Sequence, residues 1–151
     1  MAIESTFGMV KPEGLERHLV EEIEERIFAT GLDIEEEESL VMSVEQFEML
    51  YGHAKKSMTP AMYDKMKDYL TTNEVLVLKI NGESAIEKLL KLRGSSNAKY
   101  AAPGTIRGDY ARNQDYAELF KKGDIAKNVF HAADSADEAK RDLILFFGDY
   151  R

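Results

Sequence analysis

The sequence predicts an α+β sandwich, a four-stranded antiparallel sheet with helices on its faces. Three observations carry that prediction. Four short strand-like runs are separated by stretches whose apolar residues recur at helical spacing. Serine-led capping boxes open three of the helices. The 151 residues contain no repeat, low-complexity segment or linker, and that length suits a single domain over 1–151.

Thr6–Lys11 reads as a strand ended by Pro12, with Gly14 in the turn that follows. From Glu16 onward Leu19, Val20, Ile23 and Ile27 share a helical face, His18 lies beside Arg17 on the same helix, and Gly31 stops it. Leu32–Met42 is the second strand, with Leu32, Ile34, Leu40 and Met42 on one face and an acidic middle. Ser43 and Gln46 form a capping box for a helix through Phe47, Leu50 and Tyr51. Thr59 and Pro60 suit the N-cap and first position of another, running to about Leu70. Val75–Ile80 is a buried strand followed by the turn residues Asn81-Gly82. Ser84 and Glu87 cap a helix carrying Ile86, Leu89 and Leu90, which ends at Gly94. Residues 95–108, with Pro103, Gly104 and Gly108, have no period and read as an irregular loop. Asn128–His131 is a short strand, and Ser135 with Glu138 opens a last helix bearing Ala139, Leu143 and Phe146. This order contains a βαββαβ core of ferredoxin-like type, with extra helices between the middle strands.

Composition removes several chemistries. The absence of cysteine excludes disulfides, thiolate metal sites and thiol nucleophiles. The longest apolar runs, Val75–Leu78 and Leu143–Phe147, are far below the ~20 residues that span a bilayer, so no membrane partner is expected. The first residues show no basic segment leading into an apolar one, so no signal peptide is read and a cytoplasmic location is expected. The net charge of −8 argues against a specific nucleic-acid partner. Residues 13–48 hold 13 acidic side chains against Arg17 and Arg26; the remainder then carries 15 acidic and 18 basic residues, a local +3 that suits a small anion. Glu35–Glu38 reads as a solvated face.

The common phosphate and metal motifs are absent. His18 and His53 read as surface or core-edge histidines. His131 differs: it ends a short strand just before a helix N-terminus, where orphan N–H groups favour an anion. A neutral imidazole there can attack phosphorus directly, or can simply bridge strand and helix. Lys11 at a strand end and Arg107 in the glycine-rich loop are suited to clamping phosphate oxygens. Together with His131 they suggest phosphoryl transfer, in which positioning and charge neutralisation do most of the catalysis.

Three strings, Val10-Lys11-Pro12-Glu13-Gly14, Pro103-Gly104-Thr105-Ile106-Arg107-Gly108-Asp109 and Asn128-Val129-Phe130-His131-Ala132-Ala133-Asp134-Ser135, resemble the hallmark segments of nucleoside diphosphate kinases, in the family's order. The resemblance spans essentially the whole chain. It implies a ping-pong transfer of the γ-phosphoryl of a nucleoside triphosphate such as ATP to a diphosphate such as GDP, through a phosphohistidine on His131. It further implies that Lys11 holds and polarises the transferring phosphate and that Tyr51 contacts Lys11 and that phosphate. Arg107 and Ser96 would bind phosphates, and Asn128 the ribose. Mg²⁺ would ride on the nucleotide phosphates rather than on a protein cage. A homo-oligomer, hexamer or tetramer built from dimers, is implied as well.

Several positions depart from the family pattern. Its base-stacking Phe falls on Met62, with Tyr63 adjacent. A phosphate-contacting Arg falls on Leu90, leaving Lys91 or Arg93 as substitutes. The Ser two residues after the histidine is Ala133, and its partner Glu on the last helix is Asp142, which must then orient the imidazole without a hydroxyl bridge. Arg107 and Asn128 are 21 positions apart, about twice the family's usual distance. The insertion, about 111–124, is read either as a surface or subunit-contact segment or as a helical turn through Tyr116, Leu119 and Phe120 that brings Lys121 and Lys122 to the site. A catalytically weak or silent nucleotide-binding or regulatory module on the same fold is the alternative function.

Overall fold

A computed structural model of the chain describes residues 3–150. Four antiparallel strands, β1 (Ile3–Val10), β2 (Asp33–Leu40), β3 (Val75–Glu83) and β4 (Phe130–Ala132), form one sheet in the order β2-β3-β1-β4. The helices are α1 (Pro12–Glu16), α2 (Val20–Ala29), α3 (Val44–Tyr51), α4 (Pro60–Thr72), α5 (Ala85–Arg93), α6 (Ile106–Tyr110), α7 (Tyr116–Lys122) and α8 (Ala136–Phe147). Short 3₁₀ turns occupy Gly52–Ser57 and Ala98–Tyr100.

Alternation along β3 explains the two cores. Leu76, Leu78 and Ile80 pack with Val10 and Phe130 against Ile23 and Ile27 of α2 and Leu89 of α5. Val75 and Val77 point the other way, joining Phe7 and Met9 against α3, α4 and α8 through Phe47, Leu70 and Leu143. A strand covered on both faces reads as a continuous apolar run, which is why β3 is legible in the sequence. Lys79 falls on the second face, fully buried, and its ammonium is held by Asp149 (2.7 Å) and Glu35 (3.1 Å).

The structure corrects several expectations. A bulge between Ile34 and Glu36 splits the apolar face expected for β2. Leu32 and Ile34 pack in the first core, Leu40 and Met42 in the second, because one extra residue inverts every later side chain. Glu35 and Glu36, expected only as solvated charges, also neutralise Lys79. Asn81-Gly82 is not a turn: β3 runs through both, pairing them with Ser5 and Glu4. Gly82 has φ +151, and a Cβ there would lie 2.7 Å from Leu32 Cδ2.

Helix starts divide in the same way. Ser43 and Gln46 make a reciprocal capping box, Thr59 Oγ1 accepts from Met62 N with Pro60 in the first position, and Ser135 Oγ accepts from Glu138 N. Ser84, in contrast, has φ +51 and caps nothing. Ile86 N donates instead to Glu4 Oε1 on β1, at 3.0 Å. His18 is not on a helix either: it sits at φ +57 between α1 and α2.

The segment expected as a loop over 95–108 runs into α6, and its residues are fixed one by one. Thr105 Oγ1 accepts from Gly108 N (3.0 Å) and donates to Ala102 O (2.6 Å). Asp109 accepts from Gly104 N (3.0 Å) and from Arg26 Nη1 of α2 (2.7 Å). A Cβ on Gly108 would lie 1.9 Å from Ala102 O, a backbone atom that the same loop holds in place. Gly108→Ala is therefore expected to destabilise the fold by about 3 kcal/mol, the upper end of overpacking costs. The shift in the urea unfolding midpoint measures it.

Candidate active site

A cleft of about 580 Å³ opens where the C-terminal end of β1 meets β4. Register fixes the histidine: Met9 of β1 faces His131 of β4, so the imidazole stands on the face shared with α3 and α8. Its ring lies against Tyr51 (5.4 Å between centroids, tilted) and Phe7 (6.2 Å, edge-on).

A strained turn sits two residues before it. Val129 has φ +78, and Phe130 N donates to Asn128 O at 2.9 Å, closing a γ-turn of the rare, strained hand around a β-branched residue. Val129 N donates to Glu13 Oε2 (2.9 Å), and Val129 O accepts from Lys11 N (2.8 Å). Glu13 Oε1 accepts from Tyr69 of α4 at 2.9 Å, which fixes the carboxylate in turn. Gly14 makes room, since a Cβ there would lie 2.7 Å from Val10 Cγ1 and 3.3 Å from Val129 Cγ1. Glu13 is not among the site residues expected from the sequence. Its only signal was its place inside the first of the three quoted strings.

Lys11 is buried, and its ammonium donates to Ala126 O (2.9 Å) and Asn128 Oδ1 (3.0 Å), with Glu13 at 3.8 Å. Burial brings its pKa down to about 8; Glu13 opposes that shift and Arg107 adds to it. Arg107, also buried, donates through Nε and Nη2 to Phe130 O and through Nη1 to the carbonyls of Ser95 and Ser96. Four of its five N–H groups are thereby spent on backbone, leaving one. Burial and the neighbouring Arg93 bring its pKa to about 10, still charged at neutral pH. His131 is pushed well below the ordinary histidine value, first by burial and then by Arg107, Lys11, Arg93 and His53. Its Nε2 is buried with no hydrogen-bond partner.

Of the residues singled out in the sequence, Lys11, Tyr51, Met62, Ser96, Arg107, Asn128 and His131 all line this cleft. Tyr63 does not: it is buried beneath, against Phe47. Asp142 is fully buried behind the cleft, where Oδ1 accepts from Arg141 and Oδ2 has no partner, so it makes no hydrogen bond to the imidazole. Burial raises its pKa to about 6. The Tyr51 hydroxyl is buried without a partner and makes no bond to Lys11. Of the substitutes for Leu90, Arg93 lines the cleft, 3.2 Å from Asp134, whereas Leu90 and Lys91 face a shallow depression outside it. His53, Asp134 and Glu138 line the cleft as well. Among the described residues, no three His, Cys, Asp or Glu side chains are grouped to hold a metal ion.

The profile of the nucleoside diphosphate kinase family matches residues 4–151. The nucleoside diphosphate kinases of Sulfurisphaera tokodaii and Archaeoglobus fulgidus are each 35% identical over 147 residues, 97% of this chain and 90% and 88% of theirs. The chain belongs to the nucleoside diphosphate kinase family. Solved structures agree. The Borrelia burgdorferi enzyme, captured as a transition-state mimic with vanadate and ADP, has a TM-score of 0.88 at 25% identity over 99% of this chain and 90% of that one. The Halobacterium salinarum enzyme in complex with CDP has a TM-score of 0.81 at 31% identity, covering 98% and 90%. The protein is thus a kinase that moves a phosphoryl group from a nucleoside triphosphate to a diphosphate.

Within this family member the Glu13 clamp has a direct test. Glu13→Ala leaves the Val129 N–H unpaired in the interior and is expected to cost about 2 kcal/mol of stability. Phosphotransfer should fall with it, because the turn that spaces Lys11, Asn128 and His131 is released. Glu13→Gln keeps an acceptor for Val129 and should lose much less of both. Equal losses in the two variants, by denaturation and by activity, would show that the carboxylate hydrogen bond is not what holds the turn.

Proposed function

We propose that this chain runs the transfer in two steps through His131, with the cationic floor of the cleft supplying the charge. The observation that carries the reading is the His131 imidazole in one cleft with Lys11, Arg93 and Arg107. Three cations draw in a polyphosphate, while burial first and then the same cations disfavour protonation of the ring, leaving a lone pair free. With Nε2 enclosed, the nucleophile is Nδ1. An Nδ1–P bond forms as the bond from the γ-phosphorus to the β–γ bridging oxygen breaks, and the nucleoside diphosphate leaves with that oxygen. A terminal oxygen of a second diphosphate then attacks phosphorus, the N–P bond breaks, and the neutral ring returns.

Lys11 faces the transferring group and stabilises charge on its oxygens. Arg107 presents its remaining N–H to phosphate while its other donors lock the loop to β4. Arg93 takes the part of the missing arginine. Asn128 spends its oxygen on Lys11, so its amide hydrogens are available to the ribose. Tyr51 covers the ring and brings an unpaired hydroxyl to the phosphate. Ser96 offers its side chain beside the carbonyl that Arg107 holds, and Asp142 acts from behind as a buried, easily protonated carboxyl. Magnesium belongs to the substrate in this reading, carried by the phosphates and their waters. ATP as donor and GDP as acceptor are the pair to use first.

Assembly into a homo-oligomer is part of the proposal, supported by the free edge of β2 and the exposed Phe28, Val41 and Val44. A cytoplasmic setting is proposed too; among the described residues no helix is long and apolar enough to cross a membrane.

Intact mass after incubation with ATP and Mg²⁺ should rise by one acid-labile phosphoryl group and return to the start on a chase with GDP. His131→Ala should show no gain, and a variant that still transferred at the native rate would end the mechanism. The pH dependence follows from the two pKa directions. His131 is neutral across the whole neutral range, so kcat/KM should be flat there. Lys11 loses its proton as the pH rises through about 8, so kcat/KM should fall above that point, about tenfold per pH unit. In Lys11→Arg, which stays charged, the alkaline fall should move upward or vanish; an unchanged limb would assign it to another group.

A further inference from the structure

Residues 95–110, which carry Arg107, are held from two sides. One is the insertion, whose helix α7 lines the cleft through Tyr116, Ala117, Leu119 and Phe120. Asp115 at its start holds Asn97 (3.2 Å) and Lys99 (3.3 Å), and Asp124 beyond its end holds Lys65 of α4 at 2.6 Å. Lys121 and Lys122, expected at the site, are not among the lining residues; Lys121 pairs with Glu118 at 3.5 Å.

The other side is α2, acting through Arg26. Its Nη1 donates to Gly104 O (3.1 Å), Thr105 O (3.4 Å) and Asp109 Oδ2 (2.7 Å), and its Nη2 to Tyr110 Oη (3.1 Å). The guanidinium also lies over the Tyr110 ring, 4.9 Å from its centre. Tyr110 is fixed in turn, its hydroxyl donating to Glu22 of α2 and its carbonyl accepting from Arg17 Nη1 at 2.8 Å. Gly104 and Thr105 lead into α6, and Asp109 and Tyr110 end it. One guanidinium therefore grips both ends of a five-residue helix, which is too short to hold its shape alone.

Arg107 belongs to the inner side of the same helix. It is buried in the cleft wall, whereas Arg26 and Asp109 are partly exposed. Its Nε (3.2 Å) and Nη2 (2.9 Å) both donate to Phe130 O, the carbonyl next to His131. A shift of α6 thus moves the one spare N–H of Arg107 and the strand that carries the histidine together. An exposed ion pair is worth little by itself. Here the planar fork of Arg26 fixes direction as well as distance, at four acceptors.

We infer that Arg26, outside the cleft, is a positioning residue for phosphoryl transfer, aiming Arg107 by fixing both ends of α6. This deepens the reading of Arg107 as a phosphate ligand and rests on it. Transfer depends on placement to within about 1 Å, so a small rotation of α6 reaches the rate even though Arg26 touches no reacting atom.

Single-turnover phosphoenzyme formation from ATP and Mg²⁺ tests this in the wild type, Arg26→Ala, Arg107→Lys and the double variant, each shown to be folded by its urea unfolding curve. Arg26→Ala should slow formation about tenfold. Arg26→Lys, which keeps the charge but cannot span the four acceptors, should recover only part of the loss. In the Arg107→Lys background Arg26→Ala should cost less than about twofold, because no guanidinium remains to be aimed. Equal losses in the two backgrounds would mark a general loosening and overturn the inference, as would a wild-type rate in Arg26→Ala. A slow Arg107→Lys beside a normal Arg26→Ala refutes the inference alone, whereas Arg107→Lys at the wild-type rate refutes the phosphate reading of Arg107 and the inference with it. Should Arg107→Lys fail to fold, rescue decides: methylguanidinium should restore the rate of Arg26→Ala and potassium at the same concentration should not. No recovery with methylguanidinium then overturns the inference.

Discussion

One carboxylate holds the site in register. Glu13 accepts from the Val129 amide and from Tyr69, and through Val129 it fixes a turn that a β-branched residue resists. Such a conformation costs about 1–3 kcal/mol and survives only where its surroundings over-determine it. Here they do so from both sides, through Glu13 on the N–H and Lys11 N on the carbonyl. The residues that must act together are all within two positions of those bonds: Lys11 on one strand end, Asn128 and His131 on the other. Straightening Val129 would slide Asn128 away from the Lys11 ammonium and re-aim the strand that carries the histidine.

The same crowding sets the electrostatics. The chain is acidic overall, yet its cleft gathers Lys11, Arg93 and Arg107 around an imidazole. Each cation makes protonation of the ring less favourable, and burial makes retention of their own protons less favourable. A polyphosphate relieves both costs at once by bringing negative charge to groups that have given up water. Arg107 shows how the strain is contained. Most of its donors are tied to the carbonyls of Phe130, Ser95 and Ser96, so the guanidinium serves as a frame as much as a ligand.

What was legible in the sequence was what local chemistry decides. The Ser43 box and the Thr59 cap form between residues three apart, and β3 is apolar because both its faces are covered. The failures share a cause, partners distant in the chain. Ser84 is displaced as a cap by Glu4, 82 residues earlier. Asn81-Gly82 carries a turn signature, but pairing with β1 keeps it extended. The β2 bulge is set by its neighbour strand and by the need to bring Glu35 to Lys79. At the site, four residues inside the three quoted strings, Lys11, Arg107, Asn128 and His131, line one cleft, whereas Glu13 carries no local signal because its partners, Val129 and Tyr69, are 116 and 56 positions away. Asp142 lies on the last helix, where the sequence puts it, but it bonds to Arg141 next door and makes no bond to the imidazole.

The two walls of the cleft differ in how firmly they are held, and that difference separates chemistry from affinity. The histidine, Lys11 and Arg107 are fixed by strand register and by buried hydrogen bonds, which are costly to break. α7 has only seven residues, too few to be stable as an isolated helix, and depends on its ends. Those ends are pinned by partly exposed contacts, Asp124 to Lys65 and Asp115 to Lys99, of a kind worth about 1 kcal/mol or less each. Met58, Met62 and Met66 line the same cleft, and their unbranched side chains refit easily to a changed partner. The part of the cleft that carries Lys11, Arg107 and His131 is therefore rigid, and the part lined by α7 and the methionines compliant.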